Sequence, residues 1–463
     1  MKMIDTGLMK ETLEALISAK GSDYADLYIE SSRSTSIQIE DSKVEKLLEG
    51  TDSGAGLRLI RAGKTSYAYT NELTKNAFLD MASGLKAASG EQKPVKDLDL
   101  TRRAPSVEYA IKIDPSLVPL EKKVSILKEA EKAARAYHSS IKQVSVTYRE
   151  LAQKVRIASS EGFLASDDRI QTIFLVNVIA REGDVVQTGY EPIGGAMGFE
   201  LFDEVSALET ALKAAKKAVM MLKARRAPGG RMPVVISSEA GGTMVHEAVG
   251  HGLEADLSQQ GLSIYSGKMG QKIAADIINV IDDATIPGKR GSFRFDDEGT
   301  PAQKTMLIKD GILTGFMYDR LSALKAGATP TGNGRRQSYR HRPIPRMTNT
   351  MIAPGKTPAE EILKNTPKGL FVKKMGGGQV NTLTGDFVFD VQEGYLIENG
   401  QAGAPVRGAT LAGNGPRVLM EIDMVGSDLG FSIGTCGKDA QGVPVSDAQP
   451  TIRVPELVIG GES

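Results

Sequence analysis

Two of the four histidines in this chain flank a glutamate in an H-E-x-x-x-H pattern, formed by His246, Glu247 and His251. Imidazole nitrogens are common zinc ligands, and a carboxylate beside them suits a general base. On a regular helix, residues five positions apart differ in direction by about 140°, so the two rings would diverge. A π-type turn bonds residue i to residue i+5 and would bring the rings together. The spacing therefore predicts a widened turn or a helix end between His246 and His251.

A hydrolytic zinc site needs three protein ligands and an open position for water. The two histidines supply two ligands, and Glu247 is the natural base. The chain offers one soft candidate for the third ligand, its only cysteine, Cys436. Thiolate and imidazole together suit zinc. In the alternative interpretation the histidines are a solvated pair at a helix end and Cys436 is an inert core thiol, and spacing alone leaves both open.

Longer ordered segments resemble the TldD/PmbA family of metallopeptidases along nearly the whole chain. The matching segments are residues 230–235, 246–256, 335–339, 345–350, 436–438 and 449–453. The family has two branches, and the TldD-like branch keeps both the H-E-x-x-x-H pattern and the late cysteine, as this chain does. The resemblance therefore implies zinc bound by His246, His251 and Cys436, with Glu247 as the catalytic base.

The resemblance also implies a substrate class and a partner. It indicates a zinc-dependent peptidase that cleaves unfolded or flexible peptides, bound in an extended form beside a sheet edge. Family members form dimers, with themselves or with a TldE/PmbA-type paralogue, around an enclosed site. The sequence leaves open the physiological substrate, the choice between homodimer and heterodimer, and the preference for internal or terminal bonds.

A rival hypothesis belongs to another class of function. The family has also been described as a modulator of DNA gyrase, which would make the chain a regulatory binding protein without hydrolytic activity. The metal-binding residues have no role in that hypothesis. A non-catalytic binding subunit is a third possibility, but it would be expected to lack His246, Glu247 or Cys436, and all three are present.

Composition narrows the partners and the compartment. Lysine plus arginine and aspartate plus glutamate both number 57. Because nucleic-acid-binding surfaces are normally basic, this balance predicts no nucleic-acid partner. The single cysteine excludes an internal disulfide framework and suits a reducing compartment. Neither a signal-peptide core nor a run of about 18 apolar residues occurs, so we expect a soluble cytoplasmic protein without membrane contact.

Hydrophobic periodicity predicts an α+β fold. The length of 463 residues predicts two domains, and the helix-breaking segment 227–230 places them at residues 1–226 and 227–463. The first is a mixed unit with an antiparallel sheet, and the second is largely antiparallel β and carries the metal helix. In the first domain, helices are predicted over 6–20, 73–88, 120–137 and 205–223, and strands over 25–30, 36–40, 57–61, 142–157 and 172–179. In the second, strands are predicted over 232–236, 277–282, 304–309, 314–318, 385–391 and 394–398, with a helix over 358–364.

For several polar residues the sequence does not decide between a functional and a structural role. Glu254 follows the motif and is favoured as an acceptor for an imidazole N–H. Arg335 and Arg336 could hold a peptide carboxylate or carbonyl, or could be exposed. His341 stands among arginines, so a substrate contact or a structural role is favoured over metal binding.

Two further segments are predicted to be turns. The acidic run of residues 296–299 could bind a cation, but a turn that ends a strand is the better interpretation. The glycines of residues 376–378 lack the sequence context of a phosphate-binding loop. We predict a flexible turn there.

Overall fold

The computed structural model describes residues 5–17, 24–89 and 98–461. The helices of the first half are α1 (Thr6–Leu16), α2 (Lys75–Ser89), α3 (Leu120–Ala136), α4 (Leu201–Glu204) and α5 (Ala207–Leu222). Its strands are β1 (Tyr24–Glu40), β2 (Lys43–Arg61), β3 (Lys64–Thr70), β4 (Thr101–Arg102), β5 (Ile141–Ser159), β6 (Phe163–Glu182) and β7 (Val185–Gly195). Residues 18–20 of the predicted first helix lie outside the described residues.

These strands form one sheet with the order β3-β2-β1-β5-β6-β4, and β7 pairs with β6. Its long strands pair antiparallel, and tight turns join β1 to β2, β5 to β6 and β6 to β7. Between β1 and β2 the turn residues Asp41 and Ser42 have φ angles of 47° and 59°, the left-handed conformation that suits a two-residue hairpin. Helices α3 and α5 cover one face, where small residues such as Ala214 and Ala218 pack against Val146.

The second half is richer in short strands. They are β8 (Arg225–Arg226), β9 (Gly230–Ile236), β10 (Val280–Asp283), β11 (Lys304–Lys309), β12 (Ile312–Leu313), β13 (Gly334–Arg335), β14 (Ile344–Pro345), β15 (Asn349–Ile352), β16 (Lys368–Val380), β17 (Asp386–Glu398), β18 (Gln401–Arg407), β19 (Thr410–Asn414), β20 (Met424–Val425), β21 (Gly430–Lys438), β22 (Gln441–Gln449) and β23 (Ile452–Gly460). The helices are α6 (Thr243–Val245), α7 (Ala255–Gln259), α8 (Arg320–Ala326), α9 (Ala359–Lys364) and α10 (Gly415–Glu421).

Two larger sheets organise these strands. One has the order β12-β11-β10-β15-β22-β21, so β21 is an edge strand, and the other has the order β16-β9-β23-β19-β17-β18-β8. Most pairings are antiparallel. The core between the sheets contains Val245, Val249 and Cys436, so the sequence around the histidines is part of the largest apolar cluster. The α+β fold class is confirmed.

Buried ion pairs connect the first-half sheet to the second half. Arg58 on β2 pairs with Asp26 on β1 and, at 2.6 Å from its Nη1 to Oε1, with Glu298. Arg169 on β6 pairs with Asp297 at 2.7 Å. Because buried charges are retained only when they are paired, these contacts fix the position of the 296–299 segment against the sheet.

Some predicted elements need correction. The strand predicted over 314–318 is wrong, because only Met317 forms a single bridge there, to Glu254. The strands predicted over 385–391 and 394–398 form one continuous strand, β17. The periodicity also missed α8, which begins with a capping box at Asp319, and α10. Both helices are seven residues long, too short for a clear helical period.

The predicted division at residue 227 falls between β8 and β9. Strand β8 precedes it and pairs in parallel with β18 of the second half. The division into residues 1–226 and 227–463 stays a prediction. Within the described residues, no helix is long and apolar enough to cross a membrane.

Candidate metal centre

The H-E-x-x-x-H segment adopts a widened turn. Helix α6 ends at Val245, a π-helical turn covers His246–Gly250, and a 3₁₀ turn covers His251–Leu253. Gly250 makes this geometry possible, because a Cβ there would lie 2.0 Å from the sulfur of Met347. The predicted widening is confirmed.

The two rings and the cysteine converge as a result. The centroids of the His246 and His251 rings are 5.0 Å apart, with the rings nearly perpendicular at 88°. Cys436 reaches them from β21, and its Sγ lies 3.5 Å from His251 Nε2. One ligand atom from each of the three residues lies within 4.8 Å of the other two. Ligand atoms in a tetrahedral zinc site with bonds of about 2.0–2.3 Å are roughly 3.5 Å apart, so small side-chain adjustments suffice for the donor set to hold zinc.

Each imidazole is oriented by a carboxylate on its outer nitrogen. His246 Nδ1 donates to Asp447 Oδ1 at 2.6 Å, and His251 Nδ1 donates to Glu254 Oε2 at 3.0 Å. Such contacts fix the tautomer and leave Nε2 to face the metal. The contact favoured for Glu254 is therefore present. Asp447, on β22, was missed by the sequence analysis, because no spacing rule links it to the motif.

Glu254 is itself held by cations. Its carboxylate is fully buried and lies 3.1 Å from Lys438 Nζ and 4.0 Å from Arg346 Nε. Burial opposes ionisation, but Lys438, His251 and Arg346 outweigh it and lower the pKa of Glu254 to about 2. Lys438 also binds Asp256 at 2.7 Å. The carboxylate that orients His251 is therefore charged at neutral pH.

The three converging side chains shift one another's pKa values. Burial alone would raise the thiol pKa, but hydrogen bonds from His246 and His251 lower the pKa of Cys436 to about 6. Burial opposes charge on the histidines too, yet Glu254 and Cys436 raise the pKa of His251 to about 10, and Asp447 raises that of His246 well above its usual value. Without metal these shifts favour a thiolate beside protonated imidazoles, and a divalent cation would compete with the imidazole protons.

Glu247 lies at the rim of this cluster and faces a cleft. The cleft has a volume of about 720 Å³ and is also lined by His246, Cys436 and Asp447. Its walls come from residues 190–194 of β7, 375–378 of β16 and 431–435 of β21. Glu247 is half-buried and forms no hydrogen bond or ion pair within the described chain. Its carboxylate therefore faces the cleft without a partner among the described residues.

The remaining candidates lie outside the cluster. Arg335 and Arg336 are buried, which excludes the exposed alternative, and both donate to main-chain carbonyls: Arg335 to Met347 at 2.6 Å and Arg336 to Asp297 at 2.7 Å. His341 Nδ1 lies 3.0 Å from Ser338 Oγ and does not join the three candidate ligands.

Of the two segments predicted to be turns, one forms a turn and the other lies within a strand. Residues 296–299 form a buried turn in which Asp296 Oδ1 accepts from the N–H groups of Glu298 and Thr300 at 2.9 and 2.8 Å, which confirms the structural interpretation. The turn predicted at residues 376–378 is wrong, because these glycines lie within β16 at a shift in its register with β17. Gly378 permits this, since a Cβ there would lie 1.8 Å from the Phe389 ring.

Comparison with known proteins covers nearly the whole chain. Residues 25–89, 113–222 and 229–461 match the PmbA/TldA metallopeptidase domain 1, central domain and C-terminal domain. The chain belongs to the PmbA/TldD metallopeptidase family. It is 36% identical over 459 residues to a metalloprotease TldD homolog of Haemophilus influenzae, covering 96% of this chain and 94% of that protein.

Further relatives extend the similarity to archaea and to solved structures. A zinc metalloprotease TldD homolog of Saccharolobus solfataricus is 30% identical, with 95% of this chain and 97% of that protein covered. A Thermotoga maritima structure named as a modulator of a DNA gyrase superposes with a TM-score of 0.79 at 21% identity, covering 94% and 96%. TldE from Thermococcus kodakarensis gives 0.75 at 18% identity, covering 98% and 99%. At these identities the two structures support the fold alone.

The charge state of the cluster predicts proton release when zinc binds. The raised pKa values of both imidazoles, about 10 for His251, favour their protonated forms at pH 7. One zinc ion should therefore release about two protons, and zinc affinity should rise with pH between 7 and 10. Calorimetry in buffers of different ionisation enthalpy measures the release. Asp447→Asn should lower it to about one proton, because the His246 charge loses its partner.

A control for this variant lies on the same hairpin. Asp439→Asn changes an exposed turn carboxylate that lies 3.9 Å from Arg342 and forms no ion pair with either imidazole, and it should leave proton release unchanged. Zinc binding without proton release in the unmodified protein would contradict the assigned charge state.

Proposed function

We propose that this chain is a zinc-dependent peptidase in which His246, His251 and Cys436 hold the metal and Glu247 is the general base. The observation that supports it most directly is the convergence of three residues of suitable chemistry, 3.5 Å apart for one pair, at the end of a cleft. The match to a metallopeptidase family and the names of its relatives support the same class of enzyme.

The chemistry divides between the metal and the protein. Bound zinc would polarise the scissile carbonyl and acidify water. Glu247 would take the proton from the attacking water and pass it to the leaving amine, a transfer that requires a carboxylate not held by other groups. Asp447 and Glu254 would keep both imidazoles in the tautomer that leaves Nε2 free for the metal.

An exposed strand edge supports binding of extended peptides. Strand β21 carries Cys436, borders the cleft and, among the described strands, pairs only with β22. Their two-residue turn, Asp439 and Ala440, has φ angles of 50° and 56°, so Lys438 and Gln441 form its hydrogen-bonded pair. Hydrogen-bonded and non-hydrogen-bonded residue pairs alternate along an antiparallel ladder. The main-chain N–H and C=O groups of residues 433, 435 and 437 therefore point away from β22, toward the open edge. A substrate strand would pair with these groups.

Pairing of this kind determines the substrate class. It reads the peptide backbone more than the side chains and requires an extended segment. We infer that substrates are unfolded or flexible peptides and that sequence specificity is broad. The rival hypothesis of a gyrase-modulating binding protein gives the three converging side chains no role, so the peptidase is preferred.

The hairpin of β1 and β2 offers a surface for the dimer partner. Within the part of the chain that the structure describes, the first half of β2, residues 43–51, pairs only with β1, and β3 joins β2 from Ala55 onward. Val44, Leu47 and Leu48 are 44%, 44% and 53% exposed along it. An unpaired strand edge can pair with a strand of another chain. We propose that a second copy or a PmbA-type paralogue binds here.

Leu48→Glu tests this surface. A charge on the edge should oppose strand pairing and reduce the dimer fraction at a given concentration, measured by light scattering after size-exclusion chromatography, alone and with a paralogue. Leu117→Glu, at a leucine 80% exposed elsewhere, should leave the mass unchanged. A dimer that survives Leu48→Glu intact would move the interface to another surface.

The assigned roles predict different losses for two variants at the centre. Glu247→Gln keeps the shape of the side chain and the metal ligands, so the protein should retain about one zinc ion per chain while peptide hydrolysis falls by about 10²–10⁴-fold. Cys436→Ala should lose zinc first, because two imidazoles alone form a weak site. Metal analysis and peptide hydrolysis with and without chelator measure both effects.

Glu121→Gln is the matched control, because it makes the same carboxylate-to-carboxamide change at an exposed position on α3. This variant should retain both zinc and activity. If Glu247→Gln loses its zinc, Glu247 is a ligand and not the base. Full activity in Glu247→Gln would remove the base from the mechanism altogether.

A further inference from the structure

A second cavity adjoins the metal cleft and is rich in arginine. It has a volume of about 440 Å³ and shares Thr435 with the cleft. Its charged lining residues are Arg149, Arg169, Arg290, Arg335, Arg336, Glu150 and Asp297. Arginines therefore outnumber carboxylates in the lining, so some of these arginines have no carboxylate partner there.

Both carboxylates and two of the arginines are already paired. Glu150 binds Lys123 Nζ at 2.6 Å, and Asp297 binds Arg169 at 2.7 Å. Arg336 lies 3.4 Å from the carboxylate of Asp26. These charges are compensated inside the protein and do not require a ligand.

The other three arginines, which we call the arginine pocket, are Arg149, Arg290 and Arg335. Arg335 donates only to main-chain carbonyls, and Arg290 donates to the carbonyl of Gly434 and to Thr435 Oγ1, so neither pairs with a carboxylate of the described residues. The Nε of Arg290 is buried and has no hydrogen-bond partner among the described residues.

Arg149 is exposed and forms no hydrogen bond or ion pair with the described residues. Burial is the main cause that lowers the pKa of Arg290 and of Arg335 to about 10 each. Burial of a charge without an opposite charge is costly, and a bound anion would remove that cost.

The arginine pocket lies beside the proposed path of the substrate. The main-chain N–H of Arg290 donates to Ser446 Oγ at 3.0 Å, next to Asp447. Its guanidinium contacts Gly434 and Thr435, next to Cys436. Because a strand rises about 3.3 Å per residue, a peptide paired with β21 would pass Arg290 within one or two residues of the metal.

We propose that Arg149, Arg290 and Arg335 bind a carboxylate of the peptide substrate close to the scissile bond. This inference rests on the proposed peptidase function and names the substrate feature that its site selects. Guanidinium groups bind carboxylates through paired, charge-assisted hydrogen bonds. The carboxylate has two possible sources, the C-terminus of a peptide or an aspartate or glutamate side chain.

Binding is measured with a protein that does not consume its ligand. Zinc-loaded Glu247→Gln is titrated by calorimetry with an acetylated hexapeptide of alanine and serine, as the free acid, as the C-terminal amide, and as the amide with glutamate at the last position. We expect a carboxylate to tighten binding over the plain amide by roughly 10- to 100-fold. Tighter binding of the free acid alone identifies the C-terminal carboxylate as the bound group. If the glutamyl amide binds as tightly as the free acid, a side-chain carboxylate is the bound group.

Substitutions test which arginines are responsible. In the Glu247→Gln background, Arg149→Gln removes an exposed and unpaired charge, so it should fold normally and reduce the carboxylate preference at least several-fold. Arg290→Gln should do the same. Arg102→Gln is the control, since Arg102 is exposed, lines neither cavity and should leave the preference unchanged.

Two results would overturn the inference: equal affinity for the free acid and both amides, or a preference that persists in Arg149→Gln and Arg290→Gln. The peptidase proposal fails separately. If the unmodified zinc-loaded protein hydrolyses none of the three peptides while Glu247→Gln binds them with a carboxylate preference, the arginine pocket stands and the hydrolytic function does not.

Discussion

A helix with 3.6 residues per turn cannot direct two side chains five positions apart to one point, and the site depends on how this chain escapes that constraint. The π-helical turn over His246–Gly250 adds one residue to a single turn and rotates His251 back beside His246. Such a turn is rare and occurs frequently at functional sites. Here it is held by packing in the largest apolar cluster, where Gly250 admits the side chain of Met347.

The β21–β22 hairpin completes what the widened turn begins. It supplies the thiol of Cys436, the carboxylate that orients His246 and the ammonium group of Lys438 that holds Glu254. One structural unit therefore brings a candidate ligand, the carboxylate that orients His246 and the cation that holds the carboxylate orienting His251. Displacement of the hairpin would alter the donor set, its charge and the exposed strand edge together, which couples metal binding to the proposed peptide path.

Sequence reasoning succeeded where chemistry has a fixed spacing. The distortion of the motif follows from helix geometry, and the late cysteine was the one soft donor available. Asp447 could not be found this way, because its partnership with His246 arises from two strands and a turn that meet only in the folded chain. The same limit explains Arg335 and Arg336, whose burial depends on contacts across sheets. The long helices α2, α3 and α5 and the strand β5 were found by period, whereas the Gly-rich strand β16 and the strands β7 and β21 to β23 were not predicted. Helix α8 is too short to show a period.

X-ray absorption at the zinc edge of the purified protein tests the central claim most directly. The account predicts one sulfur ligand at about 2.3 Å and two imidazole nitrogens at about 2.0–2.1 Å, with a further light atom in the open position. Cys436→Ser should remove the sulfur signal from any zinc that remains. A spectrum of the unmodified protein with nitrogen and oxygen ligands only would contradict the assignment of Cys436 and with it the proposed centre.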